Sequence, residues 1–85
     1  MKEFNYVITD PVGIHARPAG ILAKEAKNFQ SIIKIEKDGK TADVRRLIAV
    51  MGLGIKQGDT IRVTIEGEDE EICFEKINQF FNDNF

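Results

Sequence analysis

Phe4, Tyr6 and Ile8 alternate with Asn5, Val7 and Thr9, a period of two that predicts a strand over residues 3–9. Asp10-Pro11-Val12-Gly13 interrupts it as a turn or loop. Ala19, Leu22, Ala23 and Ala26 then recur at helical spacing, so a helix is expected from about Ala16 to Lys27. Residues 32–37, Ile-Ile-Lys-Ile-Glu-Lys, read as a second strand, and 40–44 as its return. Asp38-Gly39 between them is a tight hairpin signal, because both central positions of such a turn need positive φ. The stretch Arg45 to Gly54 suggests a short helix closed by Gly52 or Gly54. Ile61, Val63 and Ile65 alternate with Thr60, Arg62, Thr64 and Glu66 as a fourth strand. Glu68 to Glu71 load the start of a last helix with acid, and Cys73, Ile77, Phe80 and Phe81 supply its buried stripe.

The resulting order, β-α-β-β-α-β-α, predicts an α+β open-faced β-sandwich: a four-stranded antiparallel sheet covered on one face by three helices. The 85 residues are expected to form one domain, 1–85, with no room for a second core. With 42% hydrophobic and 31% charged residues the chain reads as globular. Cys73 has no partner for a disulfide or a zinc cluster and is expected to be a core thiol. No continuous apolar stretch resembles a signal peptide or spans a bilayer, so a cytoplasmic protein without direct membrane insertion is expected.

Charge changes the picture. Residues 1–65 hold 11 of the 12 basic residues and 7 of the 14 acidic ones, whereas 66–85 hold one and seven. The net charge of -2 argues against a nucleic-acid binder, and no set of stacking aromatics is spread along the strands: four of the six Phe lie in the last twelve residues. The basic part suits an acidic partner or a phosphate.

The one histidine, His15, falls where the first loop meets the first helix, with Gly13 before it and Arg17 and Pro18 after it. Backbone N–H groups at a helix start lack intrahelical partners and, with the helix dipole, attract anions. Pro18 suits a first turn, where its missing N–H costs nothing. Arg17 adds a planar cation within reach of an anion on His15, and the positive surroundings favour a neutral ring. Metal binding lacks a second His or a Cys pair. A serine hydrolase lacks a nucleophile, since the only serine, Ser31, is expected at the far end of the first helix. Phosphoryl transfer needs only a nucleophilic imidazole and positioned charge.

The stretch Gly-Ile-His-Ala-Arg-Pro-Ala-Gly at 13–20 resembles the active-site signature of the HPr family, the histidine-containing phosphocarriers of the bacterial sugar phosphotransferase system. Residues 45–61 resemble the second-helix region of that family, and length and element order agree over essentially the whole chain. The resemblance implies a phosphocarrier, itself no enzyme and without cofactor or metal. Such a carrier takes a phosphoryl group from phospho-Enzyme I on Nδ1 of His15 and passes it to EIIA components of sugar permeases. It implies that Arg17 and the backbone amides of Ala16 and Arg17 bind the phosphate. It implies too that Leu47, Ile48 and Met51 are exposed apolar residues of the short second helix that meet donor and recipient. Lys24, Lys27, Arg45 and Arg46 are expected to help dock acidic partners, and the carrier to be a monomer. Three departures stand out. Arg46 lies where many relatives carry a regulatory serine, so phosphorylation at residue 46 is excluded. Val12 replaces a small polar residue, and Gly52 a common serine. The alternative is a related regulatory docking module that is rarely charged on His15; the pair His15 and Arg17 argues against it.

Overall fold

The computed structural model describes residues 1–85. Its elements are β1 (Lys2–Val7), α1 (Ala16–Ala26), β2 (Ile32–Lys37), β3 (Lys40–Asp43), α2 (Leu47–Met51), β4 (Thr60–Glu66) and α3 (Glu70–Asn84). The strands form one antiparallel sheet in the order β1-β4-β2-β3, with Phe4 and Ile35 flanking Val63. This is the α+β open-faced architecture expected from the order of elements.

The alternation along each strand sorts the two faces. Ile33, Ile35, Ile61, Val63 and Ile65 point into the layer beneath the helices and are fully buried. Leu22, Ala19 and Ala26 of α1 and Cys73, Ile77 and Phe81 of α3 meet them there. Phe4 packs edge-on against Phe74 and Phe81, at centroid distances of 5.6 and 5.7 Å. The opposite face stays open to solvent, where Arg62 of β4 pairs with Glu36 of β2. Burial, and secondarily the Asp69 carboxylate, push the Cys73 thiol up to about 11, so it remains protonated in the core.

The hairpin between β2 and β3 turns on Asp38 and Gly39 with φ of 51° and 82°, as the dipeptide requires. Several boundaries differ from the sequence reading. β1 ends at Val7 because the Ile8 amide turns to the Asp59 carbonyl and the Thr9 amide to the Phe85 backbone oxygen. β3 stops at Asp43, although the Val44 amide still donates to Ile33. α3 begins at Glu70 rather than Glu68, and only Glu70 and Glu71 are the acids of its first turn. Asp69 precedes the helix without capping it: its carboxylate instead accepts the Ser31 hydroxyl and amide and the Gln30 amide. Ser31 therefore does not lie on the first helix, which ends at Ala26; it is buried just before β2. Phe80 is only half-buried, leaving Cys73, Ile77 and Phe81 as the buried stripe of α3.

Candidate functional site

The loop from β1 to α1 is held from two directions. The Phe85 backbone oxygen accepts the amides of Thr9 at 2.6 Å and Asp10 at 2.9 Å, and the Thr9 hydroxyl at 3.0 Å. The segment after α2 approaches from another side, where the Ile14 amide donates to the Ile55 carbonyl at 3.2 Å. The Gln57 side chain donates to the Thr9 carbonyl at 3.1 Å. That segment is itself tied to β2, since the Lys37 ammonium donates to the Gly54 carbonyl and pairs with Asp59, both at 2.9 Å. The Lys37 ammonium, with the Lys56 amide, holds the Asp59 carboxyl below its ordinary value.

Gly13 is required by that crowding. Its φ is 77°, and a Cβ there would stand 2.4 Å from the Ile55 carbonyl oxygen and 2.8 Å from the Lys56 Cα. The close approach is thus to the backbone after α2.

His15 occupies the N-cap of α1 in an extended conformation, φ −122° and ψ 171°. Its carbonyl accepts the Ala19 amide at 3.1 Å, the first bond of the helix. Its ring makes no cap bond, so the amides of Ala16 and Arg17 keep no partner within the chain. The side chain is 37% exposed. Pro18 closes the first turn and is buried. Ala16 and Arg17 are exposed, and the Arg17 guanidinium makes no ion pair or hydrogen bond with the rest of the chain.

The charged group within ion-pair range of the ring is an acid, not a base: Asp10 Oδ2 lies 3.7 Å from His15 Nε2. Along the chain Asp10 reads only as a turn former. The signal was there, because an Asp opening a turn with Pro next bends the chain back and keeps its carboxylate near the residues that follow. The Phe85 oxygen was not foreseeable; it needs the end of α3 to reach the first loop in three dimensions.

The remaining candidates divide. Ile48 projects from α2 with 84% exposure and Met51 with 37%, forming an apolar step on the surface. Leu47 differs from the expected exposed residue: it is half-buried and leans on the core. Arg46 stands exposed as the N-cap of α2, free of any acid. Arg45 turns to Asp43, with Nη2 at 3.0 Å from the carboxylate. Lys24 on α1 and Lys27 at its C-cap are exposed, nine and twelve residues past His15, or about 14 and 18 Å along the axis, so they are not part of the histidine site itself.

Residues 2–83 match the PTS-HPr family, described as the PTS HPr component phosphorylation site. The chain is 42% identical over 77 residues to the phosphocarrier protein HPr of Lysinibacillus sphaericus, covering 91% of this chain and 88% of that protein. It is 49% identical over 72 residues to that of Mycoplasma genitalium, covering 84% and 82%. A solved structure of the histidine-containing phosphocarrier protein of Mycoplasma superposes with a TM-score of 0.92 at 39% identity, covering 96% of this chain and 93% of that one. With the fold, the histidine-bearing helix start and these likenesses in agreement, the chain belongs to the HPr family of phosphocarrier proteins of the phosphotransferase system.

Proposed function

We propose that the chain, working as a single domain over residues 1–85 and as a cytoplasmic monomer, accepts a phosphoryl group from phospho-Enzyme I on Nδ1 of His15 and yields it to EIIA components during sugar uptake. The observation that carries this is the part-exposed imidazole at the start of α1, beside two unpartnered amides, with the unpaired guanidinium of Arg17 two residues further along the chain. In the step itself, the Nδ1 lone pair attacks phosphorus while the bond from phosphorus to the donor breaks, its electron pair leaving with the donor. The incoming group brings negative charge to the mouth of α1. The helix N-terminus contributes about 0.3–1 kcal/mol toward such an anion. A charge-assisted bond from Arg17 adds about 1.5–3 kcal/mol. Stabilisation on that scale holds the group without trapping it, which suits a carrier that must release its load to the next protein.

Donor and recipient dock, in this reading, on the exposed apolar step of Ile48 and Met51 with Leu47 beneath it. Arg46, Arg45, Lys24 and Lys27 draw acidic surfaces toward it. Arg46 offers no hydroxyl, so the carrier is not switched by modification at residue 46. A related chain serving only as a regulatory docking module would need neither an open imidazole nor the unpaired Arg17 beside it. Incubation with Enzyme I and phosphoenolpyruvate tests the proposal: one acid-labile phosphoryl group per chain is expected, absent in His15→Ala. An unchanged adduct in that variant contradicts it.

A further inference from the structure

Asp10 is fixed more firmly than a loop residue needs to be. Its amide donates to the Phe85 backbone oxygen at 2.9 Å and its carbonyl accepts the Gly13 amide at 2.9 Å. Its Oδ1 accepts the Val12 amide at 2.8 Å, closing a side-chain turn, and Pro11 stiffens the residue between. Only Oδ2 is left over, and it is this atom that stands 3.7 Å from His15 Nε2. That separation is longer than a direct hydrogen bond but within the range of an ion pair, and such bonds at reactive groups often tighten only when the partner arrives.

We propose that Asp10 is a positioning residue for His15: its carboxylate keeps a proton on Nε2, so that the lone pair of the neutral ring sits on Nδ1. An imidazole nitrogen facing a carboxylate oxygen is favoured as N–H and disfavoured as a bare lone pair, and the hydrogen at one nitrogen decides which chemistry the other offers. The consequence for the reaction rests on the function proposed above. When Nδ1 forms its bond to phosphorus and the donor bond breaks, the ring still holds the Nε2 proton and carries a positive charge. The Asp10 carboxylate faces that charge. On the return step the N–P bond breaks, its pair goes back to Nδ1, and the ring leaves neutral with the same proton on Nε2. One proton stays in place through both transfers.

The Asp10→Asn variant separates this role from a merely structural one. Asparagine retains an oxygen for the Val12 amide, but it turns an N–H donor instead of an oxygen toward Nε2. Nitrogen-15 NMR of the His15 ring, at a pH where the ring is neutral, reads the tautomer directly. The substitution is expected to move the population from Nε2–H toward Nδ1–H and to slow phosphoryl acceptance from Enzyme I roughly tenfold, the scale of losing a carboxylate that orients a histidine. Asp10→Ser, which keeps a turn acceptor without the charge, is expected to fall between and decides the matter if the Asn variant does not fold. A folded variant with an unchanged tautomer population overturns the proposal. A shifted tautomer in a chain that takes no phosphate at all supports the assignment of Asp10 and overturns only the phosphoryl reading of His15.

Discussion

Phe85 holds Thr9 by two bonds: its backbone oxygen accepts the Thr9 amide at 2.6 Å and the Thr9 hydroxyl at 3.0 Å. The end of the last helix is thereby fastened to the base of the loop that carries His15. The Phe85 ring anchors the connection, buried against Phe81 at a centroid distance of 5.2 Å. Phe85→Ala is expected to destabilise the chain by about 3 kcal/mol, the scale of emptying a buried aromatic site, and to loosen the amides of residues 9–15. Urea denaturation and amide exchange measure the two effects. Thr9→Val removes one hydroxyl bond and is expected to cost about 1 kcal/mol.

Gly13 is the second support of that loop. Gly13→Ala places a methyl group 2.4 Å from the Ile55 carbonyl oxygen, on a backbone with φ of 77°. A loss of about 2–4 kcal/mol is expected, because the clash is with backbone and the conformation itself disfavours a side chain. The loop carries His15, so phosphoryl acceptance should fall with stability rather than independently of it. Gly20→Ala serves as the control: its Cβ meets nothing within 4 Å inside α1, and a gain of about 0.5–1 kcal/mol is expected from helix propensity.

Asp69 links stability to pH. Its carboxyl lies below the usual carboxylate range because it accepts the Ser31 hydroxyl and the Gln30 amide. A carboxyl whose folded pKa is depressed stabilises the fold above its unfolded value, and that stability is lost as pH falls through the folded value. Asp69→Asn is therefore expected to weaken the chain at neutral pH and to differ less and less from the parent below about pH 4. Urea midpoints taken across the acid range check this. Some acid sensitivity will persist in the variant, since Asp59 beside Lys37 and Glu70 beside the Gly67 amide are depressed as well.

Ile48 and Arg46 separate docking from folding. Ile48 on α2 and Arg46 at its N-cap are both exposed, so Ile48→Ala and Arg46→Glu are expected to change stability by less than about 0.5 kcal/mol. Both should slow exchange with Enzyme I. Only the Arg46 effect should shrink as salt rises, because screening acts on charge and not on apolar burial. Initial rates at low and high ionic strength distinguish them.

Much of this was legible along the chain. Ile61, Val63 and Ile65 announced a half-buried strand by alternation alone, and Asp38-Gly39 announced its hairpin by the φ values it demands. His15 at a helix start was readable because Pro18 and the apolar spacing of Ala19, Leu22 and Ala26 set where the helix begins. Boundaries set by distant partners were not. Asp69 looked like part of an acidic helix start, yet Ser31 and Gln30 claim its carboxylate across the fold. Leu47 looked exposed with its neighbours on α2, but on so short a helix a single rotation decides which side meets the core. The Asp10 carboxylate beside the ring was half legible: Asp-Pro announces the turn, but its fastening to Phe85 comes from the far end of the chain.

We place the phosphoryl group on Nδ1 of His15. Phosphorylating a nitrogen-15-labelled chain with Enzyme I and phosphoenolpyruvate, then recording phosphorus–nitrogen coupling, tests it most directly. Coupling to Nδ1 of His15, with the proton still on Nε2, is the expected result. A phosphoryl group on Nε2, or on any residue other than His15, would contradict the account.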